Sequence, residues 1–152
     1  AYFPASSPAG TPRCGAMEVD VANTAQGIWV EQGVTTPVAG NETQYITLAN
    51  DPYRPQERLA LSLGPATLGA TVAITQRQTS GRVNRAFNEV GPDGLIYCYS
   101  RLNQPMTSSW FISLSVSNTL TIRRVSHAVG ASPCLSDPST WSFGVGTLTM
   151  VR

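Results

Sequence analysis

The chain has 152 residues, enough for one domain with its own hydrophobic core. Only 12% of them are charged against 41% hydrophobic, a balance that excludes intrinsic disorder over most of the length. Ten basic and nine acidic side chains leave a formal charge of +1, too weak a field to mark a nucleic-acid or anionic-lipid surface.

In chain order, residues 1–15 read as a Pro-rich extended arm or linker, and residues 16–152 as a single domain. The start at Ala1 rather than Met suggests a cleaved or separate upstream piece. Period-two alternation then begins. Met17-Glu18-Val19-Asp20-Val21, Gly27 to Glu31, Thr43 to Leu48, Leu59 to Leu63 and Thr71 to Thr75 each fit a strand. Val83, Phe87 and Val90 are spaced four and three apart, the one helical candidate, though a strand or loop fits as well. Leu95 to Tyr99 is a further strand. Ser108 to Ser117 places Trp110, Ile112, Leu114 and Val116 on one face and Ser113, Ser115 and Ser117 on a wet one. A hairpin through Ser117-Asn118 leads into Thr119 to Arg123. The closing run from Trp141 to Val151 changes register at Gly144 to Gly146, which predicts a bulge. Turn chemistry at Gly64-Pro65, Ser80-Gly81, Gly91-Pro92-Asp93-Gly94 and Asn103-Gln104-Pro105 separates these segments. Roughly eight to ten short strands with little or no helix predict an all-β domain, an antiparallel β-sandwich or jelly roll, with a barrel the other closed arrangement.

All ten bases are Arg. Without Lys, Schiff-base and P-loop lysine chemistry are excluded. With so few charges, strand edges cannot rely on lysine gatekeepers and must be covered by loops, bulges, closure or neighbouring subunits. One His, His127, excludes sites built on two imidazoles. No Gly-x-Ser-x-Gly elbow accompanies it, so His127 reads as a strand-end residue rather than a triad base. No apolar run approaches the ~20 residues that span a bilayer, so no membrane insertion is expected. Glu18 and Asp20 share a strand face about 7 Å apart, a separation paired-carboxylate hydrolases use, but a solvated face accounts for them better. No metal or cofactor is expected, since no Asp-rich loop or Cys-x-x-Cys spacing occurs.

Cys14 and Cys134 lie in Pro/Gly/Ser loops, whereas Cys98 lies inside an apolar strand. The expected disulfide is therefore Cys14–Cys134, with Cys98 a buried thiol. Asn41-Glu42-Thr43 is a glycosylation sequon, making Asn41 a modification candidate. Arg77, Arg82 and Arg85 cluster about a turn and suit a carboxylate, sulfate or phosphate. Tyr97 and Tyr99 share a strand face and could form an exposed aromatic ladder. Tyr53 and Arg54 sit in the loop Pro52-Tyr53-Arg54-Pro55, facing outward, and Tyr2 and Phe3 lie in the arm. Trp29, Trp110 and Trp141 fall within strand patterns and read as core.

Gly40-Asn41-Glu42-Thr43-Gln44-Tyr45 and Asn118-Thr119-Leu120-Thr121-Ile122 resemble segments of the pre-peptidase C-terminal β-sandwich family of secreted enzymes, over about residues 33–125. The aspartate-bearing middle motif of that family is missing, and no functional residue carries over. The function expected is a non-catalytic extracellular or cell- or virion-surface module, binding a glycan or protein as the accessory or adhesion domain of a larger protein. The alternatives are a structural assembly subunit, such as a capsid protrusion, phage decoration or surface-filament domain that could be a homo-oligomer, and a hydrolase with a carboxylate or Ser site.

Overall fold

The structure, a computed structural model, describes residues 20–34, 42–102 and 106–152. Its strands are β1 (Gly27–Glu31), β2 (Tyr45–Asn50), β3 (Arg58–Leu63), β4 (Thr71–Gln76), β5 (Tyr97–Ser100), β6 (Ser108–Val116), β7 (Thr119–Ser126) and β8 (Leu148–Val151). All pairings between strands are antiparallel, in the order β4-β3-β2-β1-β8-β7-β6-β5. Each strand therefore pairs with its neighbours in the chain, except β4 and β5 at the two ends of the sheet, and β8 returns to β1 through Val30↔Val151 and Glu31↔Met150.

The all-β expectation holds, and its layering is now specific: one nearly closed up-and-down sheet rather than two stacked sheets. The ends of the sheet, β4 and β5, meet at the bridge Thr75↔Arg101, where Leu102 N–H donates to Ile74 O at 2.6 Å. Beyond that bridge the loop after β4 takes up the pairing. Cys98 N–H donates to Arg82 O and Asn84 N–H to Cys98 O, both at 2.8 Å. The edges of a lysine-free sheet are thus covered by closure and by a loop.

Alternation supplies the interior. Trp29, Ile46, Leu48, Leu59, Leu61, Tyr99, Trp110, Ile112, Leu114, Leu120, Ile122 and Met150 all turn inward and lose contact with water, each worth about 1.5–3 kcal/mol. Loop residues plug the barrel as well: Leu68, in a 3-10 turn, accepts Trp110 Nε1–H at its carbonyl (3.1 Å), and Ala25 accepts Trp29 Nε1–H at 3.0 Å. Phe87 and Val90 join the same core.

The segment 83–90 forms no α-helix. Val83 and Arg85 make strand-like bridges, and only Phe87–Glu89 coils, as one 3-10 turn. A register shift between Leu114 and Val116 turns Val116 out to 51% exposure, off the face shared by Trp110, Ile112 and Leu114. Gly144 to Thr147 close a turn through Thr147 N–H to Gly144 O, so β8 starts at Leu148 and no bulged strand runs from Trp141.

Of the expected wet face, Ser115 and Ser117 are exposed but Ser113 is buried, as are Ser109 and Phe111 earlier on that side of β6, all three at most 6% exposed. Part of the cover is residues 127–147, which strap across the outside of β5 and β6. Trp141 packs on Phe111 (ring centroids 5.7 Å apart), Arg82 lies over the Trp141 ring at 5.4 Å, and Arg123 donates to Ser142 O. The strap is locked by a disulfide between Cys134 and Cys98, Cα atoms 5.4 Å apart, which corrects the expected Cys14–Cys134 pairing. The apolar surroundings of Cys98, read from the sequence as those of a free thiol, are the strap's own contact surface. Cys14, Asn41, Glu18, Tyr2, Phe3 and the arm lie outside the described residues.

The last residue ties the barrel end. Arg152 donates to the carbonyls of Gln26, Val21, Thr24 and Ser117 and lies over the Trp29 ring at 4.4 Å. Gly27 beside it has φ +152°, a backbone conformation that favours glycine, and a Cβ there would also displace the Asp20 carboxylate that accepts Ile28 N–H.

Arg152→Ala is expected to cost about 2 kcal/mol or more, read as a lowered urea midpoint at unchanged slope. Replacing Cys98 and Cys134 together by Ala should cost about 2–4 kcal/mol, and non-reducing peptide mapping should recover the Cys98 and Cys134 peptides joined.

Candidate functional site

The residues singled out by sequence separate sharply once placed. Tyr97 and Tyr99 do share a face, but it is the barrel interior, with 6% and 0% exposure, so no exposed ladder exists. Tyr99 packs on Phe87 at 4.8 Å and donates its hydroxyl to Arg85 O at 2.9 Å. Burial pushes its ionisation well above the ordinary tyrosine value. Tyr97 O–H donates to Asp93 Oδ2 at 2.7 Å. Desolvation first, then the bond to Asp93 and that carboxylate's charge, raise Tyr97 to about 12. Asp93 itself fixes its turn by accepting Leu95 N–H.

The three clustered arginines part company. Arg82 spends its Nε–H on Ile96 O and its planar face on Trp141. Arg85 bonds Gly81 O and pairs with Glu89 at 3.5 Å, so both hold local structure. Arg77 lines a groove. Its backbone N–H reaches Glu57 O (2.7 Å), which joins the end of β4 to the turn before β3. Here a groove of about 620 Å³ opens at the β3–β4–β5 seam, lined by Glu57, Arg58, Gln76, Arg77, Gln78 and Leu102.

Arg58 stands directly opposite Gln76 across the β3–β4 pair. Among the described residues neither Arg58 nor Arg77 has a carboxylate within ion-pair distance, and Arg77 Nε is buried with no acceptor. Arg85, Arg101 and Arg123 also have a buried Nε without an acceptor, so the position in the groove and not this nitrogen sets Arg77 apart. Glu57 pairs instead with Arg54 at 3.3 Å, both largely exposed. Tyr53 is 47% exposed in the same turn, which is held by Tyr53 N–H donating to Asp51 Oδ1. Of the sequence candidates, then, Arg77, Arg54 and Tyr53 fall at or beside one surface, and Arg58, Gln76, Gln78 and Leu102 were missed. Arg58 and Gln76 become neighbours only through strand register.

His127 belongs to a different constellation. Its Nδ1 faces Ala128 O at 2.8 Å, so it must carry the proton there, and Nε2 of the neutral ring accepts from Ser109 Oγ at 2.9 Å. Ser109 Oγ lies 2.8 Å from Ser132 Oγ, which accepts Cys134 N–H. Ser and His thus meet in hydrogen-bonding geometry, with Ser109 fully buried. The chain of bonds ties the strap to β6.

Among the described residues no group of three or more His, Cys, Asp or Glu side chains could hold a metal ion, and no helix is long and apolar enough to cross a membrane. No protein-family model matches the chain, and neither a curated protein nor a solved structure matches it. The likeness at residues 40–45 and 118–122 to the pre-peptidase C-terminal family therefore carries no argument here.

Tyr97 is held protonated by the fold. The stability this contributes is complete below the ordinary tyrosine value near 10 and is lost as pH rises from 10 to about 12. In a rapid alkaline titration followed by tyrosinate absorbance, one transition should fall near 12. It should vanish in Tyr97→Phe and move to lower pH in Asp93→Asn.

Proposed function

We propose that this chain is a non-catalytic binding module, displayed extracellularly or on a cell or virion surface, that takes a partner in the groove at the β3–β4–β5 seam. The observation that carries the reading is the pair Arg58 and Arg77: two arginines lining one groove, neither with a carboxylate partner among the described residues. Planar guanidinium groups bind oxyanions bidentately, and groups left without an internal partner are free for an external one. The filled interior supports a surface site, since Trp29, Tyr99, Trp110 and Phe87 occupy the space in which a hollow barrel would hold a small ligand. The Cys98–Cys134 disulfide supports an oxidising compartment. The burial of Ser109 supports a binding rather than a hydrolytic role for the domain.

A structural assembly subunit is the second reading, favoured by one observation. The three most exposed large aliphatic side chains described, Val129 (73%), Leu135 (78%) and Val145 (96%), all project from the strap. Such side chains suit burial against another copy.

Binding to immobilised glycans and proteins should identify ligands whose affinity falls at least tenfold in Arg58→Ala/Arg77→Ala, with the urea midpoint little changed. Full affinity in the double variant would remove the groove from consideration. A concentration-independent oligomer, reduced to monomer by Leu135→Ser/Val145→Ser, would support assembly instead.

A further inference from the structure

We infer that the ligand of the seam groove is a carboxylate-bearing polysaccharide, one whose sugar rings carry uronic acid groups; this rests on the reading of the groove as the binding face. The lining has the composition such a chain requires. Arg58 and Arg77 line the groove without an internal carboxylate among the described residues, and each guanidinium offers planar donors for an incoming one. Gln76 and Gln78 each present a carboxamide, donor and acceptor at once, which matches sugar hydroxyls. Leu102, 42% exposed, supplies an apolar patch within the groove, and Tyr53, 47% exposed, stands on the turn that carries Glu57. These suit the C–H faces of pyranose rings.

The backbone separates a polysaccharide from an acidic peptide. A peptide gains most of its affinity at a sheet seam by adding a strand to free ladder groups. Here those groups are taken. Arg77 N–H is bonded to Glu57 O, Gln78 N–H to Asn84 O, and Leu102 N–H to Ile74 O. Recognition in this groove must pass through side chains, and the side chains are those for carboxylates and hydroxyls. The Glu57 carboxylate at the rim, paired with Arg54, adds a repulsive element against densely anionic chains and favours a ligand whose charges are spaced by sugar rings.

The test uses calorimetry at low and high salt with three probes: polygalacturonate, its fully methyl-esterified form, and poly-L-glutamate. Polygalacturonate should bind, weaken with salt, and lose at least tenfold in affinity in Arg77→Ala and in Arg58→Ala. Arg77→Lys should fall between wild type and Arg77→Ala, because it keeps the charge and loses the fork. Esterification should cost as much as removing an arginine. Equal binding of the ester would overturn the carboxylate assignment, while the groove reading would stand if Arg77→Ala still weakened it. Poly-L-glutamate binding as tightly as polygalacturonate would overturn the polysaccharide. If none of the three bound while an arrayed ligand still responded to Arg58→Ala/Arg77→Ala, the ligand class would fall and the groove would survive. Indifference of every ligand to both arginines would end both.

Discussion

A sheet with unpaired edges is a template for unwanted pairing, and a chain with no lysine and few charges has little with which to blunt them. Curling the sheet until its ends meet removes most of the edge, and the rest of this structure follows from that solution. The β8–β1 pairing joins two four-strand meanders, and the β4–β5 bridge brings their far ends together. Closure in turn creates an enclosed interior that must be filled to crystal-like density, which explains why loop residues such as Leu68, Phe87 and Val90 are drawn in beside the strand residues.

Closure is regular at one junction and irregular at the other, and the irregular one has the chemistry. At β8–β1 the strands pair directly and Arg152 caps the end by collecting backbone carbonyls. At β4–β5 a single bridge is extended by a loop that pairs with β5 through Arg82 and Asn84. That seam leaves a groove lined mostly by polar side chains, Arg58 and Arg77 among them. The strap from His127 to Thr147 plays the opposite role on the far side, sealing the outer face of β5 and β6 with a disulfide, stacked rings and a Ser–His hydrogen-bond chain.

Legibility in the sequence followed the range of the interaction. Leu59, Leu61 and Leu63 alternate so cleanly that β3 and its buried face could be read directly, and the Ser117-Asn118 hairpin likewise. The fate of Ser109 and Phe111 could not, because alternation reports the two faces of β6 and not that a strap from residues 127–147 will pack on the first half of one of them. Cys98 misled for the same reason: its apolar neighbours look alike whether they bury a thiol or seat a disulfide. In the groove, Arg77 was legible as a turn arginine, whereas Arg58 and Gln76 lie far apart in sequence and meet through cross-strand register.

By itself the sequence determined what local physics controls: an all-β chain, the positions of most strands, Trp29 and Trp110 as core, and a surface without lysine chemistry. These depend on side-chain period and turn propensity, which act over a few residues. The tertiary structure decided which strands close the sheet, which polar face is covered, which cysteines join, and which arginines keep their donors free. Each of these depends on residues brought together from distant segments, and only the packed chain fixes their partners.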